Sequence, residues 1–204
     1  YDDTLSVGLR CARVGNSSLS FQAAVFRGEQ RLVLGELVYV YADPATQKSQ
    51  PVPPRLRDWF TDFESGAPMA QVQVGDWSAL GAEAKSLRQS VFHEEQRIAA
   101  DLMVDAADDT AVHAVARNRM GLAIATGRLL PAREGVAQIG RMATGAALRG
   151  AGFGRGVLLA LMQAARQRGD QAVRLNAQAS AVGFYARQGF VAEGAPFQEA
   201  GIAH

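Results

Sequence analysis

The chain of 204 residues carries 21 lysines and arginines against 20 aspartates and glutamates, a near-neutral balance that argues against a nucleic-acid-binding surface. Its 48% hydrophobic and 20% charged fractions are those of a folded globular protein rather than a disordered one. A single cysteine, Cys11, excludes an intramolecular disulfide framework and suits a reducing cytoplasm, and no apolar run approaches the ~20 residues of a membrane-spanning helix.

The first forty residues alternate with period two. Leu5, Val7, Leu9 and Cys11 interleave with Thr4, Ser6, Gly8 and Arg10; Leu19, Phe21, Ala23 and Val25 interleave with Ser18, Ser20 and Gln22. After the turn Arg27–Gln30 comes a third run, "RLVLGELVYVYA". This pattern predicts an antiparallel meander with one face buried. Three strands leave an apolar face uncovered and an edge exposed, so a further layer is expected. The chain opens on Tyr1 directly before a strand, without methionine or signal peptide, and the natural protein is expected to be longer at its N-terminus.

From Asp43 the segment "DPATQKSQPVPPRLRDW" holds four of the seven prolines, which ends the sheet. "LRDWFTDF" predicts a short helix, "ESGAPM" a linker, and "MAQVQVGDW" a new beginning. The expected organisation is a first domain over 1–64, a linker over 65–69 and a second domain over 70–204.

The second half alternates helices and strands. Leu80, Ala84, Leu87 and Val91 recur at helical spacing. "AVHAVARN" and "GLAIATGRLLP" predict paired strands around a turn at Asn118–Gly121, and "GVAQIGRMAT" predicts another strand. "GRGVLLALMQAARQR" predicts a helix closed by Gly169, "AVRLNAQ" a strand, and "SAVGFYARQGF" a helix running into a last strand. The order is that of an α/β or α+β domain.

Between strand and helix lies "LRGAGFGRG", Leu148 to Gly156. The dinucleotide pattern G-x-G-x-x-G fits with the wrong spacing, and no Gly-Lys-Ser/Thr follows as a P-loop requires. Small residues still admit a ligand close to the backbone, and a helix start offers unsatisfied amides to an anion. Arg149 and Arg155 add charge at both ends. Phosphate binding is favoured over plain helix–strand packing because turn, arginines and helix start coincide.

The segment "RGAGFG", Arg149 to Gly154, resembles the R/Q-x-x-G-x-G/A loop of the GNAT N-acetyltransferases. The likeness extends to "SVFHEEQ", "GRLLP", "IGRMAT", "LNAQASAVGFYARQGF" and "FQEAGIAH", an ordered set resembling the ElaA-type branch over most of Met69 to His204. Ala203 departs from it where proline is expected. The resemblance implies an acetyltransferase fold with a mixed central sheet, using acetyl-CoA or another acyl-CoA as co-substrate and an amine as acceptor. It implies that Met142, Ala143 and Thr144 present backbone groups to the pantetheine and acyl carbonyl. The amides of Arg149, Gly150, Ala151, Gly152, Phe153, Gly154 and Arg155 would hold the pyrophosphate. Asn176 would bond the pantetheine amides or, with Gln178, brace the strand.

Tyr185 matches the tyrosine that protonates the departing thiolate in many members; the competing reading is a packing aromatic beside Phe184. Glu94 and Glu95 are the carboxylates considered for the general base, although adjacent helix residues point apart and at most one can face a cleft. His113, alternating with apolar neighbours, reads as a core histidine. Asp105, Asp108 and Asp109 show no metal-like spacing, and no metal is assigned. Glu199 and His204 match the family's ending without an assigned role.

The N-terminal segment also has a likeness. "YDDTLSV", "SSLSF", "GELVYVYAD" and the closing "KSQPVPP" resemble the latter half of a hotdog-fold acyl-CoA thioesterase of the 4-hydroxybenzoyl-CoA type. That resemblance implies a meander from a hotdog fold, incomplete because its central helix and catalytic carboxylate precede the matched part, and a homo-oligomer through the hotdog sheet. The combined expectation is a cytoplasmic N-acyltransferase fused to a thioesterase-like domain, binding neither nucleic acid nor membrane. The alternatives are a thioesterase with an accessory acetyltransferase-like domain, and a CoA-sensing module that transfers nothing.

Overall fold

The computed structural model describes residues 3–204, which fall into two compact units, one ending at Met69 and the other opening at Ala70. In the first, β1 (Leu5–Val14), β2 (Ser18–Arg27) and β3 (Gln30–Val40) form an antiparallel meander in the order β1-β2-β3. The register sets Val7, Val25 and Val33 in one row and Cys11, Phe21 and Leu37 in another, so both rows share a face. Helix α1 (Pro54–Glu64) opens with proline at its first turn, where the missing N–H costs nothing. The small core here is Cys11, Leu19 and Val52, packed by Phe21, Leu56 and Phe60. The rings of Phe21 and Phe60 meet edge-on at 5.3 Å. Where the β1–β2 register shifts, the Cys11 amide donates to Glu64 Oε1 at 2.6 Å.

The expectation of a fully buried face is corrected: Leu5, Val7, Leu9, Val33 and Leu37 are exposed. An 11-residue helix is about 16 Å long, about half the length of the ten-residue strands. It therefore covers one end of the sheet only.

The second unit is built on a five-stranded sheet in the order β4-β5-β6-β7-β8: Ala70–Gly75, Val112–Asn118, Ala123–Leu129, Val136–Thr144 and Ala172–Arg174. All neighbours are antiparallel except β7 and β8, so the sheet is mixed. The middle of strand β5, Ala114 to Ala116, is apolar on both faces because both are covered. Ala114 and Ala116 join the core beneath helix α3 (Phe153–Arg168), with Leu129, Ile139, Val157, Leu158 and Leu161. Val115 packs with Leu80 and Ala84 of helix α2 (Trp77–Arg88) on the other side. The β5–β6 turn is held by Asn118 Oδ1, which accepts from the amides of Met120 and Leu122. Helix α3 ends at Gly169 in a left-handed conformation (φ 89°), as its position in the sequence predicts.

Three local expectations change. The helical run through Val91 is α-helical only to Arg88; Gln89–Glu95 forms a π-helix, and Arg88, not Leu87, continues the buried stripe of Leu80 and Ala84. The strand expected over "AVRLNAQ" pairs only at Ala172–Arg174. Helix α4 is short, Val182–Ala186, and the chain then closes in a hairpin of β9 (Gln198–Glu199) and β10 (Ile202–Ala203).

Candidate functional site

Strands β7 and β8 pair in parallel only at Val136–Ala172, Ala137–Val173 and Gln138–Arg174, and beyond that point they part. A cavity of about 600 Å³ fills the opening, walled by Ile139 to Met142 on one side and Leu175, Asn176 and Gln178 on the other. Tyr185 from α4 and Glu199, Ile202 and His204 from the C-terminal hairpin complete the wall, with Phe92, Asp105 and Arg128 behind. Where the strands separate, backbone groups of β7 lose their sheet partner and become available to an extended ligand.

A bulge shapes the β7 wall. Thr126 pairs with Ala143 and Arg128 with Gly140, so Arg141 and Met142 together oppose Gly127. Arg141 takes a left-handed conformation there (φ 52°). A Cβ on Gly127 would collide with Met142 Sδ, so the glycine makes room for that side chain.

The glycine loop follows β7 directly. Gly150 (φ 83°) and Gly152 (φ 87°) adopt left-handed conformations with no atom near their Cβ positions, so backbone shape rather than packing requires glycine there. Gly154 is different: a Cβ would lie 2.9 Å from Thr144 Oγ1, so packing explains it. Helix α3 begins at Phe153 with no side-chain cap, leaving its first amides unsatisfied in the loop. Free amides at a helix start favour an anion.

The flanking arginines are already engaged. Arg149 donates from both terminal nitrogens to the two oxygens of Glu95 at 2.6 Å, and its Nε donates to Thr144 O at 3.2 Å. Arg155 Nε donates to Gln188 Oε1 at 2.9 Å. The Arg149 hydrogen bonds hold Glu95 below the usual carboxylate range, which makes it a weaker base. Glu95 and the exposed Glu94, the two carboxylates considered for the general base, stand outside the wall of this cavity.

Behind the β7 wall lies a charge network, buried at Arg88, Asp108 and Arg128 and open to the cavity at Asp105 and Arg141. Arg88, fully buried, donates to Asp108 Oδ1 and Oδ2 at 2.9 and 3.0 Å and lies over the Trp77 ring. Arg128 donates to Asp105 at 2.7 and 2.8 Å and reaches Asp108 Oδ1 at 2.9 Å. Arg141 donates to Asp105 Oδ2 at 3.0 Å. His113 Nδ1 accepts from Arg88 at 3.4 Å, which leaves Nε2–H to donate to Asp108 O at 2.9 Å. Burial first, with Arg88 and Arg128 nearby, lowers the His113 pKa and keeps the ring neutral. His113 is thus a satisfied core histidine. Bonds from Arg128 hold Asp105 far below the carboxylate range.

Of the residues singled out in the sequence, the cavity gathers Met142, Asn176, Gln178 and Tyr185, while Ala143 is buried in the sheet and Thr144 meets the loop. Tyr185 packs edge-on between Phe184 (4.9 Å) and Phe190 (5.9 Å), and burial pushes its pKa up to about 12. Asn176 donates to Glu199 Oε2 at 3.4 Å. The cavity also draws in Arg141, Glu199 and His204, for which sequence spacing supplies no chemical role. Among the described residues, no group of three or more His, Cys, Asp or Glu forms a metal site, and no helix is long and apolar enough to cross a membrane.

Comparison with known proteins locates this arrangement. Residues 82–204 match the family model described as an acetyltransferase (GNAT) domain. A Synechocystis protein of the UPF0039 group is 34% identical over 125 residues, 60% of this chain and 80% of that protein. A crystal structure assigned to the N-acetyltransferases from Lactobacillus plantarum superposes with TM-score 0.62 at 34% identity, over 67% of this chain and 94% of the other. An acyl-CoA N-acyltransferase from Pseudomonas aeruginosa gives 0.58 at 29% identity, over 66% and 95%. ElaA of Escherichia coli gives 0.59 at 25% identity, over 66% and 96%. The mixed sheet and its helices form the acyl-CoA N-acyltransferase fold, and the chain belongs to the GNAT acetyltransferase family.

Proposed function

We propose that the second unit transfers an acyl group from acyl-CoA directly to an amine held in the β7–β8 cavity. The observation carrying this reading is the parting of β7 from β8, continued by an uncapped helix start behind two left-handed glycines. The pyrophosphate sits on the amides of residues 150–155, the pantetheine lies along Met142, Ala143 and Thr144 with Asn176 opposite, and the thioester reaches Tyr185.

In the transfer, the amine nitrogen bonds to the thioester carbonyl carbon and the C–S bond breaks. The Tyr185 hydroxyl serves the departing sulfur. With its pKa near 12 against about 8.5 for an ordinary thiol, full proton transfer from Tyr185 is uphill in water. The same burial disfavours the thiolate, so the two come closer inside the cavity. Tyr185 therefore begins as a hydrogen-bond donor to the developing thiolate and yields its proton late. His204 takes the proton that the amine sheds: its Nδ1–H donates to Ile202 O at 2.9 Å, leaving Nε2 as the basic nitrogen. Exchange with solvent restores both groups.

The first unit, read through its likeness to a hotdog thioesterase, is the closing part of such a domain, separated by residues 65–69 from an acyltransferase over 70–204. On that reading it pairs with another copy through its sheet in the cytoplasm. Isothermal titration tests the shared premise: acetyl-CoA binds the chain, and the absence of any binding heat overturns every acyl-CoA reading.

A further inference from the structure

The cavity wall separates its charges. Its charged and titratable groups besides Tyr185 are Asp105, Arg128, Arg141, Glu199 and His204. The first three belong to the charge network, which holds three guanidinium groups, Arg88, Arg128 and Arg141, against two carboxylates, Asp105 and Asp108. One positive charge is left over, and His113, kept neutral by burial, does not alter the count. The side chains of Arg88, Arg128 and Arg141 are 0%, 8% and 28% exposed and that of Asp105 40%, so Arg141 is the guanidinium open to a ligand and Asp105 is its neighbour there. Asp105 already receives two bonds from Arg128, so Arg141 shares a carboxylate committed elsewhere. The bulge at Arg141 and Met142 sets this guanidinium on the cavity wall. The one carboxylate of the C-terminal hairpin on the wall, Glu199, receives its bond from Asn176 rather than from an arginine.

We infer that the acceptor is an amine that also carries an anionic oxygen group, a carboxylate or a phosphate, seated on Arg141, with its amino group toward Glu199 and His204. This rests on the transferase reading above. A planar guanidinium matches either anion through two parallel hydrogen bonds. An ammonium is drawn to Glu199, releases its first proton to solvent to become the attacking amine, and passes the second to His204 as the C–N bond forms. A neutral amine would leave Arg141 sharing Asp105 with Arg128 and bring no anion of its own.

The test uses the whole chain with acetyl-CoA and a panel of matched acceptors: α-amino acids, their carboxamides, and aminoalkyl phosphates such as phosphoethanolamine. Acylated product is read by mass spectrometry and free CoA thiol by its absorbance reagent. Anionic members are expected to be acylated with kcat/KM about 10- to 100-fold above their neutral partners, the loss of a charge-assisted hydrogen bond. The carboxylate and phosphate arms tell which anion is taken. In Arg141→Gln that ratio falls toward one while KM for acetyl-CoA stays in place. Carboxamides acylated as fast as the acids overturn the anion seat without needing any variant. A raised KM for acetyl-CoA in Arg141→Gln with the ratio intact also overturns it, by giving Arg141 to the coenzyme. Absence of acylated product from every series overturns the transferase reading itself.

Discussion

Arg149, the first residue of the glycine loop, clasps Glu95 of the π-helix with both terminal guanidinium nitrogens at 2.6 Å. One pair of side chains thereby ties the glycine turn to the segment that supplies Phe92 to the cavity. It also commits both Glu95 oxygens to the loop arginine and lowers their basicity. Glu95→Gln is expected to hold kcat at saturating acetyl-CoA within about threefold, since loss of a true general base costs about 100-fold or more. Because the pair is exposed, stability changes by no more than about 1 kcal/mol. Steady-state kinetics and a urea titration check both; a hundredfold fall in kcat would return Glu95 to the chemistry.

Tyr185→Phe keeps the ring packing against Phe184 and Phe190 and deletes only the hydroxyl. Acetyl-CoA affinity is expected to persist, and kcat to fall about 10- to 100-fold, the low end for acid catalysis because the phenol is a reluctant acid. Unchanged turnover would make Tyr185 a packing residue.

Gly152→Val forces a branched side chain into a backbone at φ 87°. The loop must reshape, and acetyl-CoA affinity measured by titration is expected to fall at least about tenfold while the far-UV spectrum persists. Wild-type affinity in this variant would separate the loop from the phosphates.

Asp108→Asn strips the charge that Arg88 and Arg128 share in the interior. Leaving buried guanidinium charge uncompensated costs about 3–5 kcal/mol. The urea midpoint for the second unit is expected to drop accordingly; a shift worth less than about 1 kcal/mol would show that water reaches the network.

His113 links stability to pH. Its folded pKa is lowered by burial, while an unfolded histidine titrates near 6.5. Above about 6.5 both states are neutral and the His113 contribution is fully present. As pH falls below that value, the unfolded chain binds a proton that the folded one refuses, and stability declines. Asp105 and Asp108, with depressed values, add their own loss only once pH falls below the ordinary carboxylate range. Melting midpoints are expected to fall from pH 7 to pH 5, with the slope flattened in His113→Asn. An unflattened slope would assign that titration elsewhere.

The sequence made the scaffold legible where one periodicity governed one surface. Strand β5 shows it: "AVA", Ala114 to Ala116, is apolar throughout because α2 and α3 cover its two faces. The glycine loop was legible too, since Gly150 and Gly152 mark backbone that other residues resist. Arg88 was not, because an arginine extending a helical stripe looks like a solvated end until Asp108, twenty residues on, is brought beside it. The π-helix at Gln89–Glu95 has no composition of its own. Arg141, Glu199 and His204 come to line one cavity through a bulge in β7 and the placement of the last hairpin, long-range events that no local spacing encodes. Leu5, Val7 and Leu9 alternate as a buried face does, yet α1 is too short to cover them.

The most direct measurement of the central claim follows acetyl-CoA and an amine panel together through the reaction, counting free CoA, free acetate and acylated amine by mass spectrometry. Direct transfer predicts acylated amine equal to the CoA released, with turnover that requires the amine. Acetate equal to CoA with no acylated amine would make the chain a hydrolase, and acetyl-CoA bound but unconsumed would make it a sensor; either result contradicts the account.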